Sequence, residues 1–274
     1  MKEAFQVSQS GTPGPVFVEL PIDVLYPYSI VSKEFVAASG SGSMAGKVVA
    51  WYLNNYMNNL FAGAFDKEPD VKPLPLDIPY ASESDISKAV EMITKAKKPL
   101  MILGSQALLP SVSTDKLRQA IEDLGIPVYL GGMSRGLLGR NSPINMRQAR
   151  RDAIKECDLI ILGGSVADFR LSYGRVFSRK SKIIAINRNK EQLYKNTKIF
   201  WNLDLPIQAD AAKFFVDVSN RLKGSYKVDK TWLETLQERD RKKEAVALKM
   251  AADVPENHLN PLDVCILSIS LCHG

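Results

Sequence analysis

Four short apolar runs recur along the middle of the chain: PLMIL (99–103), IPVYL (126–130), DLIIL (158–162) and KIIAI (182–186). Consecutive apolar positions suit strands covered on both faces, as parallel strands are when helices flank the sheet. Between the runs the spacing turns helical. Ile86, Ala89, Val90, Ile93 and Ala96 form such a stripe before the first run, and Phe214, Val218 and Leu222 form another after the last. The spacing predicts further helices over 115–124, 146–156 and 190–196. Ser82 with Asp85 has the pattern of a capping box, and Gly125 and Gly224 read as helix stops. PIQAD (206–210) predicts a fifth, edge strand. The alternation implies an α/β fold, with an open parallel Rossmann-like central domain over residues 82–225.

The flanks read differently. KEAFQVSQSG (2–11) predicts the last turns of a helix stopped by Gly11, and PGPVFVELP (13–21) predicts one strand. A lone helix–strand pair cannot cover its own apolar face, so residues 1–24 are expected to be the C-terminal remnant of a preceding α/β domain. Residues 25–81 read as a linker with one helix, from Val48 to Phe65. Residues 226–274 predict a long polar helix over 229–252, then a stretch without pattern that is expected to be the truncated start of a further domain.

Composition narrows the class. An apolar fraction of 45% and a charged fraction of 24% are those of an ordinary soluble globular chain. The net charge of +6 is spread among acidic residues except at RDRKKE (239–244), which reads as a solvated helix face. No basic face with interleaved aromatics is visible, which excludes a nucleic-acid partner at this level. Cys157, Cys265 and Cys272 have no metal spacing and read as reduced thiols. The apolar stretch 48–65 carries four asparagines and is no membrane span. His258 and His273 have no carboxylate or nucleophile spaced for acid–base work, and Glu19 reads as an outward strand residue.

The candidate chemistry lies in the turns after the runs: Gly104-Ser105-Gln106, Gly131-Gly132-Met133, Gly163-Gly164-Ser165 and Asn187-Arg188-Asn189. Glycine turns either shape the chain or let backbone N–H groups approach a phosphate, and both readings stay open here. Neither G-x-G-x-x-G nor P-loop spacing is present. Asp168 and Arg170 follow the third run. They read either as an ion pair and helix cap, or as a ribose-binding carboxylate beside a phosphate-binding guanidinium. Arg135 and Arg140 are further candidates for diphosphate.

PGPVFVELPIDV resembles the strand that closes the first domain of thiamine-diphosphate-dependent enzymes of the acetolactate synthase type. PLMILGSQALL, GGMSRGLLGRN, DLIILGGSVADFR, KIIAINRNKEQLYKN and QAD resemble their central domain. The resemblance implies a three-domain enzyme that makes or breaks a carbon–carbon bond next to a carbonyl, by 2-hydroxyacyl-CoA cleavage or acetolactate-type condensation. Thiamine diphosphate and Mg²⁺ are its implied cofactors, with ADP or FAD in the central domain of some members. Carried over by position, the cofactor-binding candidates are Gly104, Ser105, Asp168, Arg170, Asn187 and Asp210. Val166 and Asn187 stand where nucleotide-binding members often carry arginine and aspartate. The family's glutamate is expected upstream of Met1, and no Gly-Asp-Gly metal-diphosphate motif occurs in the sequence. The chain is therefore expected to be a fragment, catalytically silent alone. The implied partners are full-length subunits in a homo-oligomer, and the implied site is the endoplasmic reticulum membrane, through an anchor upstream. A non-catalytic nucleotide-binding or subunit-interaction module is the alternative.

Overall fold

The structure, a computed structural model, describes residues 1–21, 26–38, 44–63, 70–252, 258–261 and 264. The chain divides into two compact units, residues 1–77 and 78–274.

The first unit contains α1 (Lys2–Gln9), α2 (Tyr28–Ala38) and α3 (Met44–Leu60). Gly11, with φ +54°, turns the chain after α1, and its N–H donates to the Asp77 carbonyl. Gln6 Nε2 donates to the Pro75 carbonyl at 2.6 Å, so residues 75–77 run beside this helix. Two expectations are corrected. Residues 13–21 form no strand: they are irregular and exposed. The apolar pattern is there, but no neighbouring strand among the described residues supplies a ladder, and Pro13, Pro15 and Pro21 have no N–H to donate. Residues 25–81 hold two helices where the sequence reading has one, because the Gly/Ser-rich stretch after Ala38 obscures the uninterrupted run YSIVSKEFVAA before it. Residues 64 and 65, at the end of the expected helix, lie outside the described residues, as do Cys265, Cys272 and His273.

The second unit is a parallel sheet of six strands: β1 (Pro99–Leu103), β2 (Val128–Leu130), β3 (Asn145–Met146), β4 (Leu159–Gly163), β5 (Lys182–Asn187) and β6 (Leu205–Gln208). Their order is β3-β2-β1-β4-β5-β6, every pairing parallel. The apolar runs lie where the pattern put them. The sixth strand, the two-residue β3 at the edge, is too short to leave a periodic signal; its second residue, Met146, is the first position of the predicted helix, which begins instead at Arg150.

Strand alternation divides the core into two clusters. On one face Met101, Leu103, Ile161, Ile184 and Ile186 meet α4 (Glu83–Lys95), α5 (Thr114–Leu124) and α8 (Ala211–Leu222) through Ile93, Ile121, Phe214 and Phe215. On the other, Leu100, Ile102, Ile160 and Ile183 meet α6 (Arg150–Glu156), α7 (Lys190–Leu193) and α9 (Lys230–Ala252). Helix α9 docks by its first half. Trp232 Nε1 donates to the Pro99 carbonyl at 3.0 Å, while the residues after Asp240 are mostly exposed. Asp158 accepts the N–H groups of Lys97 and Lys98 at 2.8 Å, fixing the entry to β1.

Candidate functional site

The sheet order reverses between β1 and β4, so their carboxyl ends part around a crevice, the usual ligand position of such a sheet. A cavity of about 220 Å³ occupies it, lined by Gly104, Ser105, Gly132, Gly164, Val166 and Arg170 among others. The turns around it are tied to one another. A Cβ on Gly104 would stand 2.7 Å from Ser165 Cα and overlap the Gly164 carbonyl, so glycine here lets the β1 and β4 turns touch. The Ser105 hydroxyl accepts the Met133 N–H at 3.1 Å, and the buried Ser134 hydroxyl donates to the Leu103 carbonyl at 2.9 Å. Ala149, Ser172 and Tyr173 adopt left-handed conformations beside the same rim, a costly arrangement for residues with a Cβ.

The structure places the six candidates in three settings. Gly104, Ser105 and Arg170 line the crevice. Asp168 caps the turn that follows β4 and holds Arg170: Arg170 Nε lies 3.0 Å and Nη2 2.5 Å from Asp168 Oδ2, and the Arg170 N–H reaches Oδ1 at 2.9 Å. The hydrogen bonds from Arg170 hold the Asp168 carboxyl below the usual carboxylate range. Asn187 and Asp210 are fully buried. Asn187 Oδ1 accepts the Asn189 N–H at 2.9 Å, and its Nδ2 has no hydrogen-bond partner. Asp210 Oδ1 caps α8 through the Lys213 N–H at 2.7 Å, while Oδ2 takes Arg188 Nε at 2.9 Å and Nη2 at 2.6 Å.

Arg188 carries more of this end of the sheet than the sequence reading assigns to it. Its guanidinium also donates to the Pro110 carbonyl, and its backbone N–H donates to Gln106 Oε1 at 3.2 Å. One buried side chain thereby joins the ends of β5 and β6 to the turn after β1. Arg150 is not among the sequence candidates: it reaches the crevice lining and donates to the Arg170 carbonyl at 2.6 Å. Arg188 stands in the candidate turn Asn187-Arg188-Asn189, but the partners of both arginines lie 20 or more positions away, where no local pattern points to them.

Comparison with known proteins places this geometry. The profile for the central domain of thiamine pyrophosphate enzymes matches residues 86–218, which begin in α4 and end in α8. Over 264 residues the chain is 51% identical to 2-hydroxyacyl-CoA lyase 2 of Danio rerio, covering 96% of this chain and 42% of that protein. Residues 86–218 belong to the thiamine pyrophosphate enzyme central-domain family. The chain is 52% identical over 265 residues to 2-hydroxyacyl-CoA lyase 2 of Homo sapiens, again 96% of this chain and 42% of the relative. A more distant relative, at 27% identity over 246 residues, is a probable acetolactate synthase large subunit of Methanocaldococcus jannaschii. The chain thus spans about two fifths of the length of the curated lyases it matches.

The residues in the crevice do not fit ADP or FAD. A cavity of about 220 Å³ is smaller than the roughly 300 Å³ at which small-molecule pockets of this kind begin. At the end of β5 no carboxylate faces a ribose, Asn187 is closed off from solvent, and the guanidinium next to it is spent on Asp210. Thiamine diphosphate with a divalent ion finds no built site either. The sequence has no Gly-Asp-Gly, and among the described residues no three metal-ligating side chains gather.

Proposed function

We propose that this chain is the central, architectural part of a thiamine-diphosphate- and Mg²⁺-dependent carbon–carbon lyase that cleaves 2-hydroxyacyl-CoA, with acetolactate-type condensation as the related chemistry. The observation that carries this reading is the 51% identity over 96% of the chain to a 2-hydroxyacyl-CoA lyase 2. Thiamine diphosphate, when bound, supplies an electron sink for the carbanion that carbon–carbon cleavage leaves behind. On this reading residues 78–252 do not themselves hold it. What residues 78–252 contribute is a rigid parallel sheet whose strand ends are fastened by Arg188, Asp210, Ser105 and Ser134. On this reading the central domain keeps no ADP or FAD, and Gly104, Ser105, Asp168, Asn187 and Asp210 shape the crevice rather than bind in it.

Partnership with the catalytic domains, in a homo-oligomer of full-length subunits, belongs to the same proposal. Its support is the first unit, where Met44, Val48, Trp51 and Tyr52 of α3 are all exposed at helical spacing. Residence at the endoplasmic reticulum membrane, through a segment outside this chain, is proposed on the family likeness alone. Among the described residues no helix is long and apolar enough to cross a membrane.

The test is a segment exchange. The matching portion of the human relative is replaced by residues 1–262 of this chain, and cleavage of a 2-hydroxyacyl-CoA is followed with thiamine diphosphate and Mg²⁺. Retained turnover in the chimera, with none from the chain alone, is expected. A folded, cofactor-loaded chimera without activity, or turnover by the chain alone, would overturn the proposal.

A further inference from the structure

At the amino ends of β5 and β6, on the edge of the sheet opposite the crevice, lies a cavity of about 470 Å³. Part of its wall is apolar and buried: Phe177 and Trp201 meet edge to face, with ring centroids 5.4 Å apart. Arg179, Lys180, Lys182 and Lys198 stand around it with one carboxylate, Asp204. That carboxylate is committed. Asp204 Oδ1 takes Lys182 Nζ at 2.8 Å, and Oδ2 accepts the Ile183 N–H at 2.9 Å. The side chains of Arg179, Lys180 and Lys198 are exposed and make no hydrogen bond or ion pair among the described residues. Three cations thus share one concavity with no acidic side chain left for them.

The loop over 196–201 forms one side of the cavity and is fixed by its own bonds. Asn196 Nδ2 donates to the Ala167 carbonyl at 2.8 Å, and the Lys198 N–H donates to the Trp201 carbonyl at 2.8 Å. Asn196 and Lys198 both take φ +64°, a left-handed conformation that costs free energy in a residue with a Cβ. This held loop leaves two adjacent apolar side chains in water beside the cations: Ile199, 66% exposed, and Phe200, 41% exposed. The Arg175 guanidinium lies 4.3 Å from the Phe200 ring centroid, which adds a further positive charge to the same patch.

We propose that this surface docks an acidic peptide segment of a partner protein, with Asp or Glu side chains on Arg179, Lys180 and Lys198 and an apolar side chain laid on Ile199 and Phe200. The charges are complementary, Arg179 offering a fork to a carboxylate and the lysines acting as point charges. A small anion would use the cations and leave the apolar pair in water. A nucleic-acid strand would want several exposed rings on which to stack its bases, and Phe200 is the one exposed ring among the lining residues. A peptide uses both halves of the patch. The surface lies on residues 175–204, away from the crevice, and stands whether or not the proposed reaction is correct.

The experiment titrates the full chain against fluorescein-labelled probes, read by anisotropy at low and high salt. One probe is a short peptide rich in Asp and Glu around a central Leu-Phe pair, the second replaces that pair with Gly-Ser, and the third is an oligouridylate RNA. Saturable binding of the first is expected at about 100 µM or tighter, weakening as ionic strength rises. The second is expected to bind at least about tenfold more weakly, because it has no apolar side chain to bury. Arg179→Glu and Lys198→Glu are each expected to weaken the first peptide about tenfold, as loss of a charge-assisted hydrogen bond does, and Ile199→Asp to weaken it as much. All three positions are exposed, and circular dichroism melts check that the variants keep the fold. Lys88→Glu, an exposed change on α4, is expected to leave binding unchanged. No saturable binding of the first peptide up to about 1 mM, equal affinity for the two peptides, tighter binding of the RNA, or an equal loss in Lys88→Glu would each overturn the proposal.

Discussion

Arg188 and Asp210 meet at the ends of β5 and β6 with side chains 1% and 0% exposed. Taking both charges out of water is costly, and the pair holds because the remaining donors and lone pairs find the Pro110 carbonyl and the Lys213 N–H. Removing one partner strands the other. Arg188→Ala is therefore expected to lower the unfolding free energy by about 3–5 kcal/mol, read from urea denaturation. Arg188→Met combined with Asp210→Asn should recover part of that loss, since no bare buried charge remains and Asn still caps α8. If the single and double variants are equally unstable, the pair is not what fastens these strands. Cys157 offers a pH prediction. Burial pushes its thiol up to about 12 from an ordinary value of 9.0, and burial raises Tyr226 to about 12 as well. The unfolded chain loses these protons first, so above pH 9 it binds fewer protons than the native state, and stability falls as pH rises toward 12. A Cys157→Ala variant should show a shallower fall in unfolding midpoint over pH 9–11. Native Cys157 should also resist alkylation at pH 8 until denaturant is added, as peptide mass mapping would show.

At the scale of elements, the β1 and β4 turns also meet backbone to backbone, beside the side-chain ties made by Ser105, Ser134 and Arg188. Gly104 and Gly131 both follow strands, yet an added Cβ overlaps the Gly164 carbonyl at the first and meets only the Leu103 carbonyl, at 3.5 Å, at the second. Gly104→Ala is thus expected to cost roughly 1–3 kcal/mol by forcing the β1 and β4 turns apart, and Gly131→Ala far less. Thermal melts of the two variants side by side check this, and equal losses would mean that conformational freedom, not space, explains both glycines. The same pair shows what the sequence could tell. Runs such as PLMIL and DLIIL announce buried parallel strands because both faces must be apolar, and that signal is local. Whether a glycine is there for a ligand or for a neighbouring turn depends on contacts between residues 60 positions apart, as for Gly104 and Gly164, and no local pattern carries it. Residues 13–21 show the opposite failure: the strand pattern is present, but a strand exists only where another chain segment completes its hydrogen bonds. Asn187 and Asp210 were legible as strand-end residues; their complete burial was not, because it depends on contacts such as the Arg188–Asp210 pair, whose partners lie 22 positions apart.

For the whole molecule, the distribution of the core sets the hierarchy of stability. Both hydrophobic clusters draw only on residues between Ala81 and Leu236, whereas Met57 is the buried apolar residue described in the first unit. Apolar burial is the main favourable term in folding, so the second unit holds what it needs to fold by itself. Residues 78–252 expressed alone are expected to unfold in one cooperative transition, with a midpoint close to that of the corresponding transition in the full chain. The first unit, with Phe17, Trp51 and Tyr52 exposed, is expected to contribute little calorimetric enthalpy of its own. Differential scanning calorimetry of the two proteins reads both quantities. A shortened protein that melts without a cooperative transition would mean that residues 1–77 complete the sheet's core. A large second transition in the full chain would mean that the helical unit is stabilised by more than the burial of Met57.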